Sequence, residues 1–468
     1  MPNNYFKNSN PIVCVQGLGY VGSAMAIAIA AANDKNNNPH FNVIGLDLDN
    51  KLGRKKVEQL NKQKFPFQSK DQNLLKEFKK TKKTKNFYAS TNSDLLSLAD
   101  IIICDVNLDL IDDKKKLTAQ FSHLEKAIID IGKNIKKNAL IIIETTVPPG
   151  TCEHFIVPII NSQLRLRNID INQYYIAHSF ERVMPGKDYL NSIRNFWRVY
   201  AGNCKKASIK CNNFFKKIIN TKEYPLTELK SMRASEMTKI MENSYRAVNI
   251  AFIDEWSKFS KKINVNLFDS INAIKKRPTH SNIMSPGFGV GGYCLTKDPL
   301  LAKVGAEKFY KLKNYSFPFS EMSIRTNNQM INNSIEIIKD KIKSYKNKTI
   351  CVLGASYRED VADLRFSPSV LFIEAISNLG AKVTVYDPLV TNWKSKKAIF
   401  TNTLPKKNNY DVVVATVKHS EFQKIEYHKW LKAKKSFIFD ANFVLTDRQI
   451  KIILKNGFNF DGIGRSID

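Results

Sequence analysis

Residues 12–32 read Ile-Val-Cys-Val-Gln-Gly-Leu-Gly-Tyr-Val-Gly-Ser-Ala-Met-Ala-Ile-Ala-Ile-Ala-Ala-Ala, and they carry the strongest sequence signal for the class of fold. The apolar run at 11–16 predicts a buried strand, and the alanine-rich segment at 23–32 predicts a helix. Between them lie Gly17, Gly19 and Gly22, spaced as G-x-G-x-x-G. A strand, a glycine turn and a helix in that order are the context that a dinucleotide-binding unit requires.

Each glycine in this turn has a separate task. Gly17 allows the tight turn, Gly19 lets the backbone approach a pyrophosphate, and Gly22 lets the helix pack closely on the strand. A second predicted strand, 41–46, ends at Asp47, whose carboxylate would bind ribose hydroxyls and repel a 2′-phosphate. NAD is therefore the predicted cofactor, in preference to NADP. The predicted cofactor-binding residues are Gly17, Leu18, Gly19, Tyr20, Val21, Gly22 and Asp47.

Strands and helices alternate beyond this point, which predicts a doubly wound parallel sheet. Apolar runs at 99–104 and 139–143 are the next predicted strands. Residues 226–263 contain neither Gly nor Pro and predict one long helix, the spine of a separate helical domain and a candidate dimer surface. A strand at 349–353 then opens a second α/β unit that lacks the glycine fingerprint. The predicted fold is α/β: two Rossmann-like doubly wound α/β domains joined by a central helical domain.

The composition describes an ordinary folded protein with a strong positive charge. Of 468 residues, 43% are hydrophobic and 25% charged, which excludes a disordered chain, and the formal net charge is +30. The lysines are spread along the chain among asparagines, and no zinc-finger, RNA-recognition or helix-turn-helix pattern accompanies them. We therefore expect no nucleic-acid partner, although the positive field would attract an anionic nucleotide substrate.

Export and membrane insertion are not indicated by the sequence. No apolar run reaches the roughly 18 residues of a membrane span, and residues 1–11 lack the apolar core of a signal peptide. Seven cysteines without a CxxC pair argue against a disulfide framework, and the seven histidines lack metal-ligand spacing. We expect a cytoplasmic protein with no membrane partner and no metal.

Four polar residues of the predicted long helix form a stripe, here called the polar stripe: Glu236, Lys239, Asn243 and Arg246. At about 100° per residue they fall within an arc of roughly 80° on one face. Such a stripe is either a solvated surface or the wall of a partly buried cleft. The apolar residues around it favour the cleft. In a cleft, the lysine and the asparagine would donate hydrogen bonds to a developing oxyanion.

A glycine-rich loop at 287–298 carries the second chemical signal. Cys294 follows its glycines, where backbone can approach a substrate, and Lys297 is near enough in sequence to favour a thiolate. Asp298 is a general base for an attacking water or, with Pro299 after it, the start of a helix, and the two roles are compatible. Together with an NAD site, a loop cysteine predicts oxidation through a covalent thioester.

The chain resembles the nucleotide-sugar 6-dehydrogenases, the UDP-glucose and UDP-N-acetylhexosamine (mannosamine, glucosamine) dehydrogenase group. The shared motifs occur in the family's order at 17–22, 144–151, 181–186, 236–249, 289–298, 363–368, 386–388 and 462–465. The resemblance implies an NAD-binding Rossmann domain at 1–215, a central helical dimerisation and catalytic domain at 216–335, and a UDP-sugar-binding α/β domain at 336–468. It also implies a homodimer or higher homo-oligomer.

The implied reaction converts the C6 alcohol of a UDP-sugar to the uronic acid, for surface polysaccharide synthesis, in two NAD-dependent steps. Cys294 would capture the aldehyde as a thiohemiacetal and then hold the thioester. Lys239 and Asn243 would stabilise the oxyanions, and Asp298 with Thr146 would position or activate water. The implied catalytic residues are Cys294, Lys239, Asn243, Asp298, Glu181 and Thr146.

Further roles follow from the same resemblance. Glu181 would serve the acid–base steps, Thr146 would also contact the cofactor, and Arg365 would reach the substrate in the neighbouring subunit. The implied substrate-binding residues are Glu181, Arg182, Lys239, Asn243, Arg246, Phe288, Gly289 and Arg365.

Two substrates and two reaction types stay open at this point. The motifs at 181–186 and 246–249 resemble the N-acetylhexosamine branch, which we favour, whereas Tyr293 resembles the UDP-glucose branch. The alternative reaction is a two-electron oxidation in which Cys294 is structural and Lys239 transfers the proton. The chain also departs from the family at 105–109, in place of a Val-Pro-Thr-Pro type loop near the cofactor, and at Phe180, where proline is common.

Overall fold

The structure is a computed structural model that describes residues 6, 8–113, 116–391, 393, 395, 397–406, 409–432 and 435–466. The chain divides into two compact units: unit 1 contains residues 1–241 and 300–316, and unit 2 contains residues 242–299 and 317–468. Within the described residues, no helix is long and apolar enough to cross a membrane. The three-domain division at 215 and 335 stays a prediction.

Unit 1 is built on an eight-stranded sheet. The strands of this unit are β1 (Ile12–Gln16), β2 (Asn42–Leu46), β3 (Phe87–Ser90), β4 (Ile101–Cys104), β5 (Asp109–Asp113), β6 (Lys116–Gln120), β7 (Leu140–Ile143), β8 (Tyr175–His178), β9 (Val199–Gly202) and β10 (Thr227–Glu228). The sheet order is β10-β9-β8-β7-β4-β1-β2-β3, and β5 and β6 form a separate antiparallel hairpin. Within the sheet, only the β8–β9 pair among the described strands is antiparallel.

Unit 2 contains a six-stranded sheet that is parallel throughout its described strands. These are β11 (Thr349–Leu353), β12 (Lys382–Tyr386), β13 (Ala398–Thr401), β14 (Val412–Ala415), β15 (Phe437–Asp440) and β16 (Asn459–Gly462), in the order β13-β12-β11-β14-β15-β16. Both sheets therefore contain the strand order 3-2-1-4-5-6 of a doubly wound fold, which confirms the predicted fold class. Ligands of such folds bind beyond the carboxyl ends of the strands where the order reverses.

Helices connect these strands. They are α1 (Tyr20–Ala30), α2 (Lys51–Asn61), α3 (Gln72–Thr84), α4 (Ser122–Asn134), α5 (Val157–Leu166), α6 (Asn191–Arg194), α7 (Lys205–Phe215), α8 (Met232–Lys262), α9 (Leu267–Lys275), α10 (Leu301–Tyr310), α11 (Pro318–Ile342), α12 (Pro368–Asn378), α13 (Tyr427–Trp430) and α14 (Asp447–Lys455). A π-helical turn, Cys152–Ile156, precedes α5. The boundary between units 1 and 2 falls inside α8.

The predicted start of the long helix at 226 is wrong. Residues 227 and 228 form β10 instead, because Thr227 N–H donates to the carbonyl oxygen of Arg198 at 2.9 Å and Leu229 N–H to that of Tyr200 at 2.8 Å. This pairing with β9 involves residues some thirty positions earlier, so the local helical pattern contains no sign of it. The predicted strands at 11–16, 41–46, 99–104, 139–143 and 349–353 are confirmed to within two residues.

Candidate active site

The glycine turn after β1 fits a dinucleotide. Gly17 has φ +101°, and a Cβ there would lie 2.6 Å from the carbonyl oxygen of Asp105. A Cβ on Gly22 would overlap the carbonyl oxygen of Gly17. By contrast, no atom of the described residues, other than its chain neighbours and the backbone of its own helix, lies within 4 Å of the Cβ position of Gly19, which caps α1. The space at Gly19 is thus open to a pyrophosphate, whose negative charge the start of the helix stabilises.

A cavity of about 460 Å³ beside this turn has the size of a ligand pocket and is lined by the turn, the end of β2, the loop after β4, and α4. Asp47 lies on its wall: Oδ1 accepts the N–H of Leu48 at 2.8 Å, and Oδ2 pairs with Lys56. The ammonium of Lys56 also donates to the carbonyl oxygen of Leu18 at 3.2 Å. Lys56, which the sequence analysis missed, ties the predicted ribose-binding carboxylate to the glycine turn.

The side chains at the other predicted cofactor positions support the turn. Leu18 is fully buried, Val21 is half-buried, and Tyr20 stacks on Phe67 with ring centroids 4.0 Å apart. These contacts hold the backbone of the turn in place. The backbone is the part of such a motif that approaches a pyrophosphate.

The unusual loop after β4 places a carboxyl group beside the turn. Asp105 lines the cavity, and its Oδ2 is buried without a hydrogen-bond partner among the described residues, 3.2 Å from the Cβ position of Gly22. Burial and the nearby Glu181 carboxylate raise the pKa of Asp105 well above its ordinary value, and Arg198 opposes them. The loop continues into the β5–β6 hairpin, whose first residue, Asp109, also lines the cavity.

The turn after β7 carries Thr146, which is half-buried. Thr145 beside it donates to two backbone carbonyls near the end of β4, at 3.2 and 2.9 Å. Further along the turn, the N–H groups of Gly150 and Cys152 donate to the carboxylate of Glu236 on α8, at 2.6 and 2.8 Å. The sequence shows Glu236 only as a member of the polar stripe, and these two contacts anchor it to the turn of Thr146.

Lys239 and Glu181 meet through the backbone within unit 1. The Lys239 ammonium donates to the carbonyl oxygen of Glu181 at 2.8 Å and lies 5.4 Å from the ring centre of Phe180. The guanidinium of Arg182 lies 5.1 Å from the same ring and donates to the carbonyl oxygen of Trp197 at 2.7 Å. Phe180, which replaces the family's common proline, is therefore a buried aromatic contact for two cations.

Burial decreases along the polar stripe from its first residue to its last. Glu236 is fully buried, Lys239 is 6% exposed, Asn243 is half-buried and Arg246 is exposed. Glu236 and Lys239 are therefore buried in unit 1, which excludes a solvated surface for this end of the stripe. Arg246 lies at the solvated end of the stripe, where it remains open to a soluble ligand.

Cys294 lies in unit 2 and is exposed. The N–H groups of Lys297 and Asp298 both donate to its carbonyl oxygen, at 3.1 and 2.9 Å, so a tight turn follows the cysteine. Cys104, in contrast, lies in a strand, where burial raises the pKa of its thiol to about 12 and so keeps it protonated. The exposed thiol is the chemically available one of the two, since the thiolate is the reactive form.

The carboxylate of Asp298 is held from both sides within unit 2. Asn243 donates from Nδ2 to Oδ2 at 2.7 Å, and the Lys297 ammonium pairs with Oδ1 at 2.8 Å. The ammonium also lies 4.3 Å from the ring centre of Tyr293. The sequence predicted that Lys297 acts on the Cys294 thiol. In the structure its ammonium pairs with the Asp298 carboxylate, a contact that sequence spacing did not indicate.

The loop of Arg365 packs against the Cys294 loop. Gly292 has φ +84°, a Cβ there would lie 2.8 Å from the ring of Tyr357, and its N–H donates to the carbonyl oxygen of Arg365 at 3.2 Å. The guanidinium of Arg365 pairs with both oxygens of Asp363, at 3.1 and 2.7 Å, and lies 5.7 Å from the ring centre of Tyr293. The predicted substrate arginine is therefore fixed to the same loop structure as the cysteine.

Phe288 and Gly289 differ in what they can offer a substrate. The Phe288 side chain is 1% exposed and packs edge-on against Phe372 at 5.2 Å, so it belongs to the core of unit 2. Gly289 has φ +109°, and Val290 after it donates its N–H to Asn327 at 2.7 Å. The backbone is thus the part of this segment that is suited to contact a ligand.

Three profiles of one protein family match the chain. They are the NAD binding domain of the UDP-glucose/GDP-mannose dehydrogenase family at residues 12–219, its central domain at 233–329 and its UDP binding domain at 351–447. Among the described residues, no group of three or more His, Cys, Asp or Glu side chains could hold a metal ion.

Two relatives and a solved structure match the chain over nearly their whole length. The chain is 28% identical to a UDP-N-acetyl-D-mannosamine dehydrogenase of Pyrococcus horikoshii over 97% of this chain and 99% of the relative. It is also 28% identical to a UDP-N-acetyl-D-mannosamine dehydrogenase of Campylobacter jejuni, over 89% and 97% of the two chains. The solved structure of the UDP-D-ManNAc dehydrogenase from Pyrococcus horikoshii matches with a TM-score of 0.79 at 26% identity, over 97% of this chain and 99% of that chain.

Proposed function

The chain belongs to the UDP-glucose/GDP-mannose dehydrogenase family, and we propose that it oxidises the C6 alcohol of a UDP-sugar to a uronic acid in two steps. It is an NAD-dependent oxidoreductase, with NAD as its cofactor. The observation that carries the proposal is the Cys294 loop, in which an exposed thiol is followed by a turn that fixes the buried carboxylate of Asp298.

NAD, when bound at the glycine turn, accepts one hydride in each of the two oxidations. Glu181 receives or relays the proton that leaves the C6 hydroxyl in the first oxidation. The Cys294 thiolate then adds to the aldehyde carbon, and the resulting thiohemiacetal becomes a thioester in the second oxidation. Water releases the acid and returns the thiol, so one alcohol, two NAD and one water give one carboxylate, two NADH and three protons.

The remaining residues stabilise the negative charge that develops at C6 and position the attacking water. Lys239 and Asn243 donate hydrogen bonds to the oxyanions that form at C6. Asp298 is already paired with Lys297 and Asn243, so its role is to orient the asparagine and position the water, together with Thr146. This pairing favours a positioning role over that of an unpaired general base.

The proposed substrate is a UDP-N-acetylhexosamine. Relatives named UDP-N-acetyl-D-mannosamine dehydrogenase support this choice, and UDP-glucose is the alternative. Arg182, Arg246 and Arg365 supply positive charge for a diphosphate or a sugar carboxylate, and Gly289 offers its backbone. In this proposal, residues 1–215, 216–335 and 336–468 form the NAD-binding, central and UDP-sugar-binding domains.

The proposed assembly is a cytoplasmic homodimer or higher homo-oligomer, whose product enters surface polysaccharide. Its support is an apolar surface along α8, which a single chain leaves in water. The exposed apolar side chains there are Met237, Met241, Tyr245, Phe252, Trp256, Phe259 and, just beyond the helix, Ile263.

The proposal is tested with purified protein, NAD and a panel of UDP-sugars that includes UDP-N-acetylmannosamine, UDP-N-acetylglucosamine and UDP-glucose. We expect a uronic acid from one sugar, no acid from Cys294→Ser, and unchanged acid from Cys204→Ser. Cys204 is the matched control, since it is the other exposed cysteine among the described residues. Acid formation by Cys294→Ser at the rate of the unmodified chain would assign the thioester to another nucleophile, whereas an aldehyde or ketone as the product of the unmodified chain would favour the two-electron alternative.

A further inference from the structure

Glu236 has no role in the proposed reaction, although it is the most buried residue of the polar stripe. Its side chain is fully buried in unit 1. Each carboxylate oxygen accepts one backbone N–H: Oε2 that of Gly150 at 2.6 Å, and Oε1 that of Cys152 at 2.8 Å. A carboxylate that bridges two N–H groups in this way is a strong, charge-assisted clamp.

The clamped segment is the turn that follows Thr146 and opens into a helix. The helix after it begins with the π-helical turn Cys152–Ile156, and no side chain of its own caps that start. Gly150 has φ +93°, and a Cβ there would lie 2.7 Å from the hydroxyl of Tyr310. This position of the turn therefore fits glycine, and Glu236 supplies the partner that the unpaired N–H groups of a helix start need.

The same helix, α8, supports a second loop one turn later. The Lys239 ammonium donates to the carbonyl oxygen of Glu181 at 2.8 Å. Glu236 and Lys239 thus connect α8 to the two loops of unit 1 that carry Thr146 and Glu181. A shift of about 1 Å in such a loop can cost about a hundredfold in rate.

We propose that Glu236 is a positioning residue: its ionised carboxylate locks the 146–152 turn onto α8 and so sets the position of Thr146. The catalytic consequence rests on the proposed function. The structural part, the clamp on the turn, does not depend on it.

Protonation of Glu236 would loosen the clamp, because one oxygen would carry a proton and accept an N–H poorly. Burial raises the pKa of Glu236 to about 7, and the N–H groups of Cys152 and Gly150 oppose this. Glu153 on the clamped helix adds to the rise and pairs with Arg233 of α8. Other titratable groups around the clamp are the thiol of Cys152, the hydroxyl of Tyr310 on α10, and the imidazole of His154, which lies 3.1 Å from the Cβ position of Gly150. Because the folded-state pKa is raised, the full clamp is present above about pH 7 and is lost as the pH falls through that value.

The test compares the unmodified chain with Glu236→Gln, which keeps the shape but has only one acceptor oxygen. Amide hydrogen exchange of a peptide that covers 148–153 is the structural readout, corrected for the intrinsic pH dependence of exchange. We expect the unmodified chain to lose protection of this peptide as the pH falls from 8 to 6, and the variant to lack it at both values. Equal protection in the two proteins at pH 8 would overturn the proposal.

The catalytic readout is the pH profile of kcat. We expect Glu236→Gln to lower kcat at pH 8 by about a hundredfold and to lose the rise of kcat near pH 7. Glu236→Asp, which keeps the negative charge, should restore part of the kcat at pH 8 and part of its rise near pH 7. Asp254→Asn is the matched control, because Asp254 is a buried carboxylate of α8 that belongs to unit 2 and pairs with Lys258. An unchanged kcat profile in Glu236→Gln on an active sugar would contradict the positioning role, whereas absence of activity in the unmodified chain would concern the proposed function alone.

Discussion

The Nδ2 atom of Asn243 donates to Oδ2 of Asp298 at 2.7 Å, and this bond joins α8 to the turn that follows Cys294. Both residues lie in unit 2, where Lys297 occupies the other oxygen of Asp298. The carboxylate consequently keeps one orientation. Asn243 is in turn held with its amide oriented by an anion, and its proposed donation to an oxyanion would use the same amide group.

Replacing Asn243 by aspartate should convert this bond into a repulsion between two carboxylates. We expect Asn243→Asp to lower kcat by about a hundredfold, because the amide donor to Asp298 and to a developing oxyanion is lost. Initial rates of NADH formation measure this. Asn249→Asp on the same helix is the control, since Asn249 bonds only to the carbonyl oxygen of Tyr245 in the structure. Equal losses in the two variants would argue against a special role for the Asp298 contact.

Alanine substitutions in the glycine turn should separate folding from cofactor binding. Gly22→Ala places a Cβ against the carbonyl oxygen of Gly17, so we expect a loss of about 1–3 kcal/mol in the free energy of unfolding. Gly19→Ala meets no protein atom within 4 Å and should unfold at the unchanged temperature. It should nevertheless bind NAD at least about tenfold more weakly, because the methyl group occupies the space of the pyrophosphate. Thermal unfolding with and without NAD measures both, and unchanged NAD affinity in Gly19→Ala would contradict this placement of the cofactor.

Asp47 should control the choice between NAD and NADP. We expect Asp47→Asn to reduce the preference for NAD by about tenfold, because the repulsion of a 2′-phosphate is lost while Lys56 remains to attract it. The measurement is kcat/KM with each cofactor. An unchanged ratio would mean that Lys56 already neutralises Asp47 in the unmodified chain.

Phe288 and Arg246 are both predicted substrate-binding residues. We expect substitution of Phe288 to lower stability and substitution of Arg246 to weaken substrate binding. Phe288→Ala removes a buried ring packed on Phe372, so we expect about 3–5 kcal/mol of lost stability, measured by denaturant unfolding. Arg246→Ala lies at an exposed position and should leave stability unchanged while raising KM for the UDP-sugar about tenfold. If Phe288→Ala is stable but has a raised KM for the UDP-sugar, the Phe288 side chain contacts the substrate after all.

The fold class, the family and the NAD cofactor were predictable because their signals are local or repeated. The glycine turn shows its strand, spacing and helix within residues 11–32, and both sheets follow from alternating strands and helices. The β9–β10 pairing was not predictable, since the partner of Thr227 lies far back in the chain. The direction of a long side chain is equally non-local: the Lys297 ammonium points to Asp298, and the Glu236 carboxylate to the 150–152 turn.

The roles of the individual residues remain predictions. The proposed sequence of two oxidations depends on Cys294 as the nucleophile. The most direct measurement is the number of NADH molecules formed per UDP-sugar consumed, with excess NAD and identification of the product. We predict two NADH and one uronic acid per sugar, with no acid in Cys294→Ser. One NADH per sugar with an aldehyde or ketone product would contradict the thioester account and assign the chain a two-electron oxidation.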